Sequence, residues 1–328
     1  MNLVGLPTAL VPTVIPIAVA LAVDWRFGEP AARLHPVVWM GRYLGRVGPA
    51  LTRRCPAAAF VGGAAAWCVG VAAAGLLAFA AERTLRTLPM PLAELGLGLL
   101  LKPLLAWRML HDEVAAVEAA LAVSLNDGRA RLQRLVSREV STLDAEQVRE
   151  SAIESLAENL NDSLVAPLFW FALGGLAAAA VYRFANTADA MWGYRGRYEW
   201  AGKWAARADD ALSWLPARLT ALLLCLAAGR RVPWPPLRQA ARATPSPNGG
   251  WPMGAMALLL GVRLRKPGVY TLNPAGAAAE AAHTALALRW SHRAVWGAAA
   301  ASALVSVLVS VLVSALASVS VGTARAGA

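Results

Sequence analysis

Residues 294–321 contain no charged side chain. About 20 apolar residues in a helix cross the hydrocarbon core of a bilayer, so this run decides the solvent in which the chain folds. Five more apolar runs accompany it, near 3–23, 57–81, 88–107, 164–182 and 211–229. Charged residues make up 16% of the chain, against about a quarter in soluble domains, and lipid as solvent accounts for the deficit. The polar stretches between the runs are Ala-rich with helical periodicity, and no β pattern stands out. The expected fold is an all-α polytopic integral membrane protein. It is read as a single membrane-embedded domain over residues 1–328, with about four to six transmembrane or membrane-embedded helices and helical cytoplasmic loops.

No Lys or Arg precedes the run at 3–23, so it reads as a retained helix rather than a cleaved signal peptide. The Ala- and Gly-rich run at 57–81 is built for close helix packing. Ser302, Ser306, Ser310, Ser314 and Ser318 repeat every fourth residue. That stripe reads equally as a packing face and as low complexity in a lipid-facing anchor.

The formal charge of +11 comes mostly from Arg in short loops beside apolar runs. This is the positive-inside pattern of a membrane protein, not the basic stripe of a nucleic-acid binder, and no nucleic-acid partner is expected. The Arg-rich stretch 24–56 is assigned to the cytoplasm. If all six runs crossed, 183–210 would then face the opposite side from 108–163. Segments 164–182 and 211–229 that dip into the membrane without crossing would remove that conflict. Cys55, Cys68 and Cys225 have no C-x-x-C spacing, and the four histidines form no H-x-x-x-H pair, so zinc motifs are absent.

Chemistry-bearing residues concentrate in a few stretches. Asp144 and Gln147 have capping-box spacing and start a helix. Along it Glu150, Glu154, Glu158 and Asp162 recur every four residues, which places them on one face. Such a face calls for a cation (Mg²⁺, an Arg cluster or an ammonium group), or else it is solvated at a few tenths of a kcal/mol per like-charged pair. Asn186, Thr187 and Asp189 suit caps and turns first, and an oxygen-ligand Mg²⁺ site second. Arg207, Asp209 and Asp210 lead into an apolar helix, where adjacent carboxylates need a partner or a helix N-terminus. Residues 244–252 form a turn-rich loop but no Walker A loop. His35, ahead of Pro36, reads as structural on its own.

Taken in order, these stretches resemble one family. Asp24, Gly28-Glu29-Pro30, His35-Pro36-Val37 and Met40-Gly41-Arg42 form its first motif, and Glu154 to Trp170 its second. Tyr182 to Arg195, Ala206 to Leu219 and Ser246 to Pro252 supply the rest. Together they resemble the adenosylcobinamide-phosphate synthase family of cobalamin biosynthesis. The chain departs from that family's pattern at Glu139 and Val140, at Met253, and over Arg265 to Tyr270.

The resemblance implies an amide-forming membrane ligase. It would join aminopropanol, or its O-phosphate, to a carboxylate of (adenosyl)cobyric acid, with ATP and Mg²⁺ as cofactors and the corrinoid as substrate. Glu154, Glu158, Asp162 and Asp189 are then the catalytic and Mg²⁺-ligating candidates, joined in metal binding by Asp209 or Asp210. Arg138, Arg195 and Arg207 are candidates to clamp phosphate or carboxylate. Asn159, Asn186 and Asn248 would hydrogen-bond the corrinoid rim, and Asp24, His35, Arg42, Asp209 and Asp210 complete the substrate-binding set. The implied location is the inner cell membrane, with the site facing the cytoplasm. The implied partners are the lipid bilayer and other cobalamin-pathway membrane enzymes. A transporter or a non-catalytic scaffold are the alternatives. Transport would put ionisable groups at the bilayer midplane, whereas most candidates here sit at helix ends and in loops.

Overall fold

The computed structural model describes residues 14–326 other than Arg195. The helices are α1 (Val14–Phe27), α2 (Pro36–Leu51), α3 (Pro56–Leu85), α4 (Met90–Leu101), α5 (Trp107–Val123) and α6 (Leu125–Leu132). They continue as α7 (Ala145–Leu160), α8 (Ala166–Trp192), α9 (Lys203–Ala228), α10 (Trp234–Ala243), α11 (Gly250–Leu260) and α12 (Ala281–Ala326). Five helical stretches are long and apolar enough to cross a membrane: 56–85, 90–123, 145–192, 203–228 and 281–309. The all-α polytopic expectation holds. The first apolar run, 3–23, lies partly outside the described residues.

Proline opens both α2 and α3, where its missing N–H is one that a helix start leaves unbonded anyway. One side of α3 presents Val61, Val69, Leu76, Leu77 and Phe79 outward, as lipid requires. The other carries Gly63, Gly70 and Gly75. Side chains there would strike the Ala201 backbone, the Phe184 ring and the Val181 side chain respectively, so the glycines let α3 pack closely on α8 and on the segment after it. The order of these contacts makes α3 and the later part of α8 antiparallel.

The run from α7 to α8 is helical except at Gly174 and Gly175, with one π-turn at Asn161–Val165 joining the two helices. Yet it doubles back. Arg183 Nη1 donates to Asp162 O at 3.1 Å, although 21 residues separate them. A straight helix would hold these residues about 30 Å apart. The reversal is at Gly174 and Gly175. Gly175 has φ +66° and ψ −159°, a region essentially open only to glycine. The second arm begins at Leu176, whose N–H donates to Glu82 Oε2 of α3 at 2.8 Å. A carboxylate from a neighbouring helix thus caps the broken end. The apolar run 164–182 is therefore a helical hairpin with arms of about 15 Å, half a hydrocarbon core. This is the geometry that removes the topological conflict at 183–210.

At the centre sits α7, with Val148, Ile153, Leu156 and Leu160 fully enclosed. Its capping box is formed by Asp144 and Gln147 as the spacing predicts. Two expectations need correction. Asn186, Thr187 and Asp189 are in the last turns of α8, not in a cap or turn, because the helix runs on to Trp192. A short antiparallel hairpin, β1 (Leu264–Lys266) and β2 (Tyr270–Leu272), occurs where no strand was expected. Its tight turn carries Gly268 at φ +73°. Three-residue strands are too short for an alternating pattern to be legible in sequence.

In α12, Ser302 and Ser306 are buried, and Ser306 Oγ donates to Ala172 O at 3.4 Å and to Ser302 O at 2.9 Å. At these two positions the serine stripe is a packing face. The side chains of Ser310, Ser314 and Ser318 lie outside the described residues.

Candidate active site

Where the α7–α8 hairpin opens, a cavity of about 610 Å³ lies between α7, the end of α8, the segment after α6 and the β-hairpin. One wall is acidic: Glu154, Glu158 and Asp162 from the first arm, and Asp189 from the second. The facing wall is basic: Arg134, Arg138 and Lys266. Asn159, Asn186, Tyr194, Tyr270 and three serines, Ser137, Ser151 and Ser155, complete the polar lining.

The four-residue period on α7 resolves into two environments. Glu150, at the lower end, is fully enclosed and is claimed by Arg265, whose Nε lies 3.0 Å from Oε2 and whose backbone N–H donates to the same oxygen at 3.0 Å. Arg263 adds a longer contact to Glu150 at 3.9 Å and a bond to Glu146. This end of the face anchors the β-hairpin. Glu154 has Arg138 at 3.4 Å, and its Oε1 is buried with no partner. Among the described residues, Glu158, Asp162 and Asp189 make no ion pair. Arg149, the one basic residue within the α7 acidic run, points away to Glu118 at 2.8 Å.

Local folding holds these groups in place. The π-turn inserts one extra residue just where Asp162 meets the cavity. Arg183 bridges the arms, donating to Asp162 O and, at 3.2 Å, to Asn186 Oδ1. Arg138 is fixed by Ser151, to whose hydroxyl it donates at 2.6 Å. The 244–249 loop closes one side, with Gly249 so near Glu158 that a Cβ there would lie 3.1 Å from Oε1. Tyr270 donates to the sulfur of buried Met253 at 3.7 Å. Burial pushes the Tyr270 phenol up, and Glu154 and Glu158 add to the shift, so it is a neutral hydrogen-bond donor at ordinary pH.

The structure brings together Glu154, Glu158, Asp162, Asp189, Arg138, Asn159 and Asn186 of the expected residues. Asp209 stands behind this cluster, within electrostatic reach of Asp162 and Asp189 and next to Asn186. Asp24, His35, Arg42, Arg207 and Asn248 lie elsewhere. Asp24 and Glu29 share Lys102, at 3.0 Å and 2.9 Å, and His35 bonds Glu29 at 2.9 Å. Asp24 also accepts the backbone N–H of Arg108 at 2.8 Å. These are clasps between α1, α2, α4 and α5. Burial works against the Glu29 carboxylate, but His35 and Lys102 outweigh it and hold its pKa below the ordinary range.

Arg42 and Arg207 are exposed and outside the cavity lining. Asp209 and Asp210 sit inside α9 rather than in its first turn. Asp209 is buried with an unpartnered oxygen, while Asp210 accepts from Ser246 at 3.0 Å and its carbonyl from Asn248 at 2.7 Å. Asn248 therefore ties the loop to α9. Arg195 lies outside the described residues.

Arg134, Lys266, Tyr194 and Tyr270 are cavity residues that the sequence reading did not select. Lys266 and Tyr270 lie in a stretch set aside as a departure from the family pattern. That stretch supplies part of the basic wall and the enclosed phenol. Of the other departures, Glu139 caps the backbone N–H groups of Val140 and Ser141 at 3.0 Å and 2.9 Å, and those bonds lower its pKa.

Among the described residues no three His, Cys, Asp or Glu side chains converge as a ready-made metal cage. The lone Glu154 oxygen and the unpaired Glu158, Asp162 and Asp189 still suit Mg²⁺, which takes one or two carboxylates and completes its shell with phosphate and water.

The sequence pattern of the CobD/Cbib protein family matches residues 17–295. The chain is 44% identical over 257 residues to the probable cobalamin biosynthesis protein CobD of Thermococcus kodakarensis, covering 78% of this chain and 84% of that one. It is 40% identical over 255 residues to the protein of the same name in Pyrococcus furiosus, covering 77% and 86%. To the cobalamin biosynthesis protein CobD of Rhodobacter capsulatus it is 38% identical over 261 residues, covering 77% and 82%. No solved structure matches.

Proposed function

The chain belongs to the CobD/Cbib family, and from that premise we propose that it is a membrane enzyme of cobalamin biosynthesis that makes an amide bond. Its substrates are a carboxylate of (adenosyl)cobyric acid and the amine of aminopropanol O-phosphate or aminopropanol. The observation that carries this reading is the two-signed cavity: an acidic wall facing a basic one within about 610 Å³. An amino alcohol phosphate is an ammonium at one end and a phosphate at the other, and it matches both walls at once. The macrocycle lies across the mouth, with one carboxylate arm reaching in.

A carboxylate and an ammonium do not condense in water unaided. The acyl carbon needs a leaving group, and an acyl phosphate made with ATP is the simplest. Mg²⁺, when bound by Glu154 and Asp162 or Asp189, supplies charge neutralisation for the phosphates. Arg138 and Lys266 hold the nucleophile's phosphate, with the planar Arg fork suited to two oxygens. Glu158, free of any ion pair, accepts the proton from the ammonium. The amine then attacks the acyl carbon, the new C–N bond replaces the C–O bond, and inorganic phosphate leaves. Asn159 and Asn186 orient the carboxylate arm by hydrogen bonds. The open side of the cavity faces the cytoplasm, where ATP is available.

The test is amidation by purified protein in detergent, given adenosylcobyric acid, either nucleophile, ATP and Mg²⁺, with corrinoids followed by mass spectrometry. The expected result is a mass gain equal to the amide, lost without ATP and in Glu158→Gln. No product with either nucleophile, from folded protein that binds the corrinoid, would move the reading to a scaffold.

A further inference from the structure

Outside the lining of the acidic cavity, α10 turns a basic face outward. Trp234, Arg238 and Arg242 are spaced by four, so they form one stripe. All three are exposed, and together they line a surface cavity of about 580 Å³. The opposite face of α10, Leu237, Ala240 and Ala241, is buried in the protein. The helix is therefore committed to the fold by its apolar side and offers only its charged side. The stretch 229–243 holds Arg230, Arg231, Arg238 and Arg242 and no acidic residue. Among the described residues, neither Arg238 nor Arg242 has an ion-pair partner. Two arginines four apart on one face repel one another, and an anion between them relieves it.

The position of α10 identifies that anion. Arg293 Nη1 donates to Ala227 O at 3.3 Å, which sets the end of α9 level with residue 293. Residue 294 begins the uncharged run of α12, and Trp296 beside it is 58% exposed. This is the level at which a membrane boundary falls, and exposed Trp marks it. The Arg-rich stretch starts there. Trp234, five residues past Gly229 at the end of α9, is 60% exposed and leans on Trp251 at a ring separation of 5.3 Å.

We propose that the Trp234–Arg238–Arg242 stripe of α10 is a binding site for the headgroup of an anionic phospholipid. The two guanidinium groups take the phosphate and the indole lies against the glycerol and upper acyl region. Arginine forks suit phosphate oxygens, and cytoplasmic-type basic segments are drawn to anionic leaflets. The site is independent of the amidation reaction.

Native mass spectrometry of the full chain in detergent tests this, with phosphatidylglycerol, phosphatidylcholine or inorganic phosphate added in separate arms. Phosphatidylglycerol should remain bound through mild activation and phosphatidylcholine should not. R238Q/R242Q should weaken phosphatidylglycerol retention by about 30-fold, from about fivefold per arginine at an anionic surface. R238K/R242K, which keeps both charges, should recover most of it. R53Q/R54Q removes the same charge from another exposed pair and should leave retention unchanged. Equal loss in R53Q/R54Q, equal retention of phosphatidylcholine, or displacement of the lipid by millimolar inorganic phosphate would overturn the proposal. So would a loss that R238K/R242K shares in full.

Discussion

The reversal at Gly174–Gly175 makes a sharp demand on two residues, and Gly175→Ala tests it. Gly175 sits at φ +66° and ψ −159°, where a Cβ costs about 1–3 kcal/mol. That Cβ would also lie 2.6 Å from Glu82 Oε2, so the carboxylate must retreat from the Leu176 N–H it accepts at 2.8 Å. A hydrogen bond to a charged group contributes about 1.5–3 kcal/mol. The two effects overlap, and about 3 kcal/mol of destabilisation is expected in all. For a chain of 328 residues that corresponds to a fall in melting temperature of about 4–5 °C. Glu82→Gln keeps an acceptor but loses the charge, and should cost about half as much. Gly229→Ala is the control. It too has positive φ, +65°, but a Cβ there meets nothing within 4 Å, so only the backbone term of about 1 kcal/mol applies. Tryptophan-fluorescence melting in one detergent should rank Gly175→Ala below Glu82→Gln and both below Gly229→Ala. A Gly175→Ala melt within about 2 °C of the parent would refute the reversal as described.

Other substitutions have distinct signatures. Lys102→Met strands Asp24 and Glu29 without their cation and should destabilise by about 3–5 kcal/mol, read in the same melt. Glu29 has its folded pKa depressed, so its stabilising contribution is present above its unfolded pKa of about 4.3 and fades as pH falls through the lower folded value. Glu29→Gln should flatten that acid limb of a stability–pH curve, and an unchanged slope would count against the clasp. Arg265→Gln unties the β-hairpin from Glu150 and so displaces Lys266 and Tyr270. In the amidation assay it should raise the KM for the phosphorylated nucleophile more than it lowers kcat. Glu158→Gln should lower kcat about 100-fold or more with an unchanged melt, as befits a base with no ion pair to lose.

Much of this molecule was legible in its sequence because its strongest signals are local. Run length gives the membrane helices, and four-residue spacing gives the acidic face of α7. Asp144 and Gln147 give the start of that helix. The basic wall was not legible in the same way. Lys266 reaches Glu154's cavity from more than a hundred residues away, on strands of three residues each, and no local period records such a meeting. The acidic face also looked uniform, although Glu150 is bound by Arg265 and Glu158 is free. Spacing places side chains on a face but says nothing of what stands opposite. Asp24, Glu29 and His35 form a motif in sequence, yet the cation that Asp24 and Glu29 share, Lys102, lies more than seventy residues away inside an apolar run, and no local pattern links them. The adjacent glycines at 174 and 175 were visible too. Hydropathy averages over them and is blind to direction.

That blindness bears on parity. A segment that goes in and returns contributes two half-passages, so it leaves the side of everything after it unchanged, whereas a crossing flips it. Counted as one crossing, 164–182 would put Asp189 and Asp162 on opposite sides of a barrier. Counted as a return, it sets them in one cavity. Two glycines and a borrowed carboxylate thus set Asp189 beside Asp162. A straightened variant of this helix would keep every site residue, and would carry Asp189 about 40 Å from Asp162.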